Sequence, residues 1–417
     1  MPVQSAVSQT DYYIDLENHY GAHNYHPLPV VLKEGKGVFV WDVEGKKYFD
    51  FLSAYSAVNQ GHCHPAIIQS LIEQAQKLTL TSRAFHSEQL ALFTKFITGY
   101  FGYDKLLPMN TGAEAVETAL KLCRHWAYRV KKLEQNKAKI LVCSGNFHGR
   151  TLGIISFSDD PVARDKFGPY LPGFETIPYN NLPALANALK DNNVAGFLVE
   201  PIQGEAGVNV PDDGYLAKAK QYCEDANVLF IADEIQTGLG RTGRLLCCDH
   251  ENVRPDILIL GKALSGGVLP VSAVLADDKI MLTIKPGEHG STYGGNPLAS
   301  KVAMTALQVL QDEKMAENAL RLGEIFREEL KKINSPHILK IRGKGLLNAI
   351  VIDHSEKEAA WKLCLELKQN GLLAKQTHGD IIRFAPPLII TEEQLMECLD
   401  IISKSLKCWI KNRYYCK

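Results

Sequence analysis

Four stretches in the middle of the chain are apolar at nearly every position: 139–144 (KILVCS), 194–200 (VAGFLVE), 228–233 (VLFIAD) and 256–260 (DILIL). A strand facing water on one side alternates apolar and polar residues, whereas one apolar on both faces must be covered on both. Between these runs lie stretches with helical spacing, such as 215–226. The alternation predicts an open α/β fold, a mostly parallel sheet with helices on both faces. The last quarter reads differently. Residues 345–352 and 381–384 look like strands, and 356–370 and 392–411 look like helices, the second opened by the capping-box pattern Thr391-x-x-Gln394. Near the start, 35–51 reads as two or three strands with a turn at Glu44-Gly45. These changes of pattern set expected limits at 1–56 for an N-terminal segment, 57–314 for a large α/β domain and 315–417 for a C-terminal α+β domain.

Composition narrows the class of function. A chain of 417 residues is long enough for two or three lobes. Lys+Arg 46 against Asp+Glu 47 leaves a net charge of −1, with no polybasic arm, so neither nucleic acid nor an anionic membrane is an expected partner. No apolar run reaches the roughly 18 residues of a membrane span. Residues 1–17 carry neither a basic start with an apolar stretch nor an Arg-rich, acid-poor composition, so a cytoplasmic location is expected, or the mitochondrial matrix if a targeting segment has been removed. Ten cysteines include no C-x-x-C pair, and Cys247 and Cys248 are vicinal, so reduced, mostly buried thiols are expected. His62-Cys63-His64 is too compact for one tetrahedral site, and Gly61 and Pro65 mark a turn there, so no metal is expected.

In open parallel sheets, ligands bind beyond the carboxyl ends of the strands. The polar residues that close or follow the apolar runs are Glu200, Asp233 and Lys262. Singly, each only marks a strand meeting solvent; together they describe a site. Lys262 stands in LGKALSGG, with its glycines on the wrong side for a nucleotide-binding P-loop. A lysine at a strand end, partly desolvated, suits imine formation with a carbonyl compound. Asp233 could face the ring nitrogen of a pyridine cofactor while Glu234 points the other way. Thr111 and Glu114 form a capping box ahead of a helix, whose first N–H groups, at Gly112 and Ala113, suit a phosphate. Phe147, in NFHGRT, could stack on a flat ring. Ser291 and Thr292 offer hydroxyls in a glycine-rich loop. Singly, these read as ordinary packing and a plain turn.

The ordered motifs NTGAEA, NFHGRT, VEPIQGEAG, ADEIQTGLGRTG, LGKALSGG and GSTYGGNP resemble the class III, fold-type-I pyridoxal-5′-phosphate aminotransferases over nearly the whole chain. YGAHNYHP, SAYSAVNQGH, RGKGLLNA and THGDIIRFAPP narrow the likeness to the branch acting on the δ-amine of ornithine. The resemblance implies a small lobe built from both terminal segments. It makes Lys262 the Schiff-base lysine, Asp233 the partner of the pyridine nitrogen and Gln236 a neighbour of the 3′-oxygen. Phe147 and Ile235 flank the ring, His148 also belongs to the cofactor site, and Gly112 and Ala113 hold the phosphate. Ser291 and Thr292 reach the phosphate of the other subunit, which implies a homodimer. At position 148 animal members of the ornithine branch carry Trp, whereas the wider class commonly has His.

The same resemblance implies how substrates bind. Tyr25 recognises the α-amino end of L-ornithine and Arg150 its carboxylate, while Lys262 moves the proton as general base and then acid. For 2-oxoglutarate, Arg150 suits the distal carboxylate and Arg383 the one beside the keto group. Glu205 covers Arg383 during the first half-reaction. Tyr55 helps favour ornithine over γ-aminobutyrate, and Glu200 orients Gln236 or Arg150. The alternatives are a class member using N-acetylornithine or γ-aminobutyrate, an aminomutase needing no keto acid, and a non-catalytic relative, whose mark would be loss of the lysine or aspartate.

Overall fold

The computed structural model describes residues 8–353 and 358–415, with side chains of the closing helix to Trp409. The central sheet has seven strands, in the order Lys105–Met109, Ser272–Ala276, Ile257–Leu260, Leu229–Asp233, Val194–Val199, Lys139–Cys143 and Phe174–Ile177. The last five pair in parallel, and Ser272–Ala276 runs against both its neighbours. The four apolar runs are four adjacent strands, fully buried along Val194–Val199, Leu229–Asp233 and Ile257–Leu260. Period-two alternation sends Ile140 and Val142 to one face, against Ala119 and Cys123 of the helix Gly112–Arg129. Leu141 and Cys143 go to the other, against Leu216 and Ala219 of the helix Tyr215–Asp225. Further along that sheet, Leu258, Leu260 and Leu275 pack on the helix Pro297–Asp312. Three strands escaped the pattern. Lys105–Met109 carries Pro108 and lies at a sheet edge, where a missing N–H is tolerated, and Phe174–Ile177 is the opposite edge. Ser272–Ala276 is five residues of small and apolar side chains with no polar partner to punctuate it.

Around this core lie two small sheets. Leu32–Lys36, Phe39–Asp42 and Lys47–Asp50 form antiparallel pairs, and Leu372–Leu373 from the tail joins in parallel, Leu372 opposite Phe49 and Leu373 opposite Asp50. Asp42 Oδ1 accepts the amides of Glu44 and Lys46 and so closes the expected turn. The other sheet is antiparallel, in the order Ile338–Lys344, Leu347–Ile352, Ile381–Phe384 and Lys375–Thr377. Its first hairpin turns at Gly345, where a Cβ would lie 2.3 Å from the Thr242 carbonyl carbon, so this position needs glycine to reach the large domain. The expected strand 345–352 therefore begins two residues later, at Leu347. The expected helix 356–370 runs Ala359–Gln369, with 356 and 357 outside the described residues, as are the first seven residues of the N-terminal stretch. Thr391 and Gln394 exchange both bonds of the capping box at the start of Glu392–Tyr415.

Candidate active site

Val194–Val199, Leu229–Asp233 and Ile257–Leu260 lie side by side, so Glu200, Asp233 and Lys262 emerge at one carboxyl edge. Lys262 follows Gly261 and opens the short turn Lys262–Ser265 with φ +46°, a left-handed backbone conformation uncommon for a residue with a side chain. Burial takes solvent from its amine, and nearby Arg383 adds repulsion. Together these lower its pKa against the pull of Glu205, Asp233 and Glu200.

Asp233 Oδ1 accepts the Ile235 amide at 3.1 Å, and Oδ2 lies 2.7 Å from Nδ1 of His148. A carboxylate at that distance places the proton on Nδ1. Burial opposes charge on the enclosed His148 ring, yet the hydrogen bond and charge of Asp233, with Glu200 behind it, outweigh this and raise its pKa. Among the described residues, Glu200 bonds backbone amides rather than the side chains of Gln236 or Arg150. Its two oxygens accept the amides of Phe147 at 2.8 Å and Gly204 at 3.3 Å, fixing the loops that carry Phe147 and Glu205. Burial, and next the charge of Asp233, push its carboxyl up to about 7. Glu234 points away, accepting the Cys248 amide and the Thr237 hydroxyl.

Thr111 and Glu114 complete their capping box at the start of Gly112–Arg129. The first helical turn offers N–H groups without intrahelical partners, here at Gly112 and Ala113. A Cβ on Gly112 would meet Ile235 Cδ1 at 3.1 Å, and one on Gly261 would meet Ile235 at 3.4 Å. Ile235 therefore lies between the helix start and the lysine turn. A Cβ on Gly149 would meet that of Ala113 at 3.1 Å, which brings the Phe147 loop to the same place. A carboxylate, an amine of lowered pKa, free helix N–H groups and an aliphatic wall make a donor set that fits pyridoxal 5′-phosphate. The buried Gln236 Oε1 has no protein partner, which leaves it available to a bound group.

On the substrate side, Glu205 Oε1 accepts from Arg383 Nη1 at 2.7 Å and Gln236 Nε2 at 3.0 Å. Burial would raise the Glu205 pKa, but the charges of Arg383 and Lys262 hold it below its ordinary value. Gly204 lies against it, where a Cβ would stand 1.5 Å from Gln236 Oε1. The Arg383 guanidinium lies 5.1 Å from the centre of the Tyr55 ring. Burial, then the charge of Glu205, raise the Tyr55 pKa, and Tyr25 is near enough to add to it. Phe147, Arg150, Glu205, Thr377 and His378 line one cleft of about 440 Å³. In it the exposed Arg150 guanidinium stands 5.7 Å from the Phe147 ring centre. Tyr25 is 74% exposed. Ser291 Oγ accepts from Asn110 Nδ2 of its own chain at 2.9 Å, and Thr292 is exposed. The structure thus gathers the candidates other than Ser291 and Thr292 around one centre, with Tyr25 open to solvent. Sequence reasoning passed over Gly204, Thr377, His378, Asp50 and the fully buried Arg241; all but Asp50 stand inside quoted motifs, and Asp50 carries no local signal.

The sequence matches the family described as aminotransferase class-III over residues 20–406. It is 62% identical to the mitochondrial ornithine aminotransferase of Rattus norvegicus over 397 residues, 95% of this chain and 90% of that one. The crystal structure of the ornithine aminotransferase from Toxoplasma gondii superposes with a TM-score of 0.96 at 48% identity, over 98% of this chain and 97% of that one. An acetylornithine aminotransferase structure from Elizabethkingia anophelis gives 0.89 at 58% identity, over 96% and 100%.

Proposed function

This chain belongs to the class-III aminotransferases, a fold-type-I family that works with pyridoxal 5′-phosphate, and on that premise we propose that it moves the δ-amino group of L-ornithine to 2-oxoglutarate. The products are L-glutamate 5-semialdehyde and L-glutamate, a step linking ornithine to proline and arginine metabolism. The observation that carries the reading is the Glu205–Arg383 pair at 2.7 Å. An arginine open beside the amine-bearing carbon would select α-amino acids by their carboxylate; a covered one lets a terminal amine approach Lys262 while the α-carboxylate stays remote. When bound, the cofactor serves as a sink for the electrons left when the substrate carbon loses its proton. Asp233 would hold its ring nitrogen as an anion, itself held by His148. Gly112 and Ala113 would take the phosphate, with Ser291 and Thr292 of the partner subunit completing it. Phe147 and Ile235 would enclose the ring, and Gln236 would serve the 3′-oxygen. Lys262, its amine pKa lowered, could accept the proton from the δ-carbon and deliver it to the cofactor's C4′, across the transferred nitrogen. Tyr25 and Arg150 hold the α end of ornithine, and Tyr55 shapes the pocket beside Arg383. With the keto acid, Glu205 swings aside and Arg383 takes the carboxylate.

The homodimer belongs to this proposal. It is supported by the helix Gln9–Tyr20, which buries no residue within its own chain while presenting Tyr12, Tyr13, Leu16 and Tyr20. The domain limits 1–56, 57–314 and 315–417 are supported by the pairing of Leu372–Leu373 with the N-terminal strands. Among the described residues no helix is long and apolar enough to cross a membrane, and we place the enzyme in the cytoplasm or, like its rat relative, in mitochondria. The test adds L-ornithine to the holoenzyme without keto acid, with o-aminobenzaldehyde to trap the cyclised semialdehyde. Conversion to the pyridoxamine spectrum with a trapped adduct, reversed by 2-oxoglutarate, is the expected result. Conversion by N-acetylornithine or γ-aminobutyrate but not ornithine would overturn the substrate.

A further inference from the structure

Beyond the strand Lys47–Asp50 the backbone reverses its hand. Ser53, Ala54, Tyr55 and Ser56 have φ of 48°, 47°, 60° and 70°, with ψ of 48° at Ala54 and 43° at Tyr55. The Ala57 amide donates to the Ser53 carbonyl at 2.8 Å and that of Ser56 to Leu52 at 3.3 Å. This is one left-handed helical turn made without glycine. Each such residue crowds its Cβ against the following carbonyl oxygen, so the conformation persists only where the surroundings impose it.

The imposing group is Asp50. Its Oδ1 accepts the amides of Leu52 and Ser53, both at 2.9 Å, and its Oδ2 holds His62 Nε2 at 2.8 Å. The reversed turn presents Tyr55 to Arg383. The other side of that contact is fixed by Arg241, which donates to Pro386 O at 2.6 Å, three residues beyond Arg383, and to Asn59 Oδ1 at 2.6 Å, just past the turn. Arg241 is fully buried, and Asp50 is the acid whose charge it feels. We propose that Asp50 is a positioning residue for substrate selection, clamping the left-handed turn so that Tyr55 stays against Arg383. This rests on the ornithine reading above, in which Tyr55 separates ornithine from γ-aminobutyrate.

The test uses the holoenzyme with Asp50→Ala, Ala54→Gly and both together. Ala54 is exposed, so glycine there changes little but backbone preference, and glycine takes the left-handed region freely. Asp50→Ala is expected to lower kcat/KM for ornithine about tenfold, mainly through KM, and to shrink its preference over γ-aminobutyrate as much, with cofactor absorbance unchanged. Adding Ala54→Gly is expected to restore several-fold of that loss, which a merely destabilised protein would not show. Backbone amides of residues 52–57 should exchange faster in Asp50→Ala and slow again in the double variant. That arm needs no substrate, so it separates failure of the clamp from failure of the ornithine reading. Ala54→Gly alone should raise Tm by about 1–2 °C. Unchanged selectivity in Asp50→Ala, no recovery in the double variant, or a lower Tm for Ala54→Gly would overturn the proposal, the last even if Asp50→Ala does not fold.

Discussion

Glu205 and Arg383 are 178 positions apart and meet at 2.7 Å, so neither residue's local sequence announces the pair. Replacing Glu205 with alanine uncovers the arginine. The expected outcome is a faster half-reaction with L-glutamate as donor, roughly tenfold for each 1.4 kcal/mol the pair had withheld; single-turnover absorbance reads it, and an unchanged glutamate rate would remove the gate. Glu200 gives a second prediction. Its folded carboxyl sits at about 7 against an ordinary 4.5, so the folded state holds a proton that the unfolded state has released. Stability from this group is therefore full below about pH 4.5 and falls as pH rises towards 7. Glu200→Gln removes that loss, so its stability relative to the parent should improve across this window by up to about 3 kcal/mol. Denaturant melts at pH 5 and pH 8 would show it, and a pH-independent difference would contradict it. Lys262 and Asp233 were legible because a charged residue in an apolar run has few structural excuses. Arg241 was not, because burial and partners 105 and 145 positions away are invisible locally.

At the scale of elements, the capping box of Thr111 and Glu114 was readable, since both partners lie within one turn. Thr111→Ala leaves the Glu114 amide without its cap and should cost about 1 kcal/mol of stability. Cofactor affinity should weaken with it, because the same helix start presents Gly112 and Ala113; thermal melts with and without added cofactor would separate the two effects. The reversed turn Ser53–Ser56 was not readable. Its residues have no left-handed preference, and Asp50 and His62 hold it from outside. Edge strands were missed for a related reason: Lys105–Met109 and Phe174–Ile177 are covered less and so carry weaker apolar patterns than the interior strands.

For the whole molecule, the proposed homodimer offers a cover for the exposed aromatic face of Gln9–Tyr20, and for Phe85 at 71% and Tyr293 at 57% exposure. If Thr292 serves the partner's site, co-expressing Lys262→Ala with Thr292→Ala subunits should recover activity that neither has alone. Half of the randomly formed dimers are mixed and each has one intact site, so roughly a quarter of parent activity is expected. No recovery above the Thr292→Ala background would place Thr292 in its own chain's site.

The sequence by itself determined the doubly covered sheet, the residues at its carboxyl edge and the capped helix start at Thr111. Each is written in contacts of short range or in a simple period: alternation along strands, a cap three residues from its partner, a charge ending an apolar run. The resemblance named the Glu205–Arg383 pair and the structure brings it to 2.7 Å, whereas only the tertiary structure decided that His148 backs Asp233, that Glu200 holds two loop amides, and that Asp50 clamps a left-handed turn beneath Tyr55. Those arrangements depend on burial and on partners brought together from separate segments, and the free energy that selects them exists only once the lobes have packed.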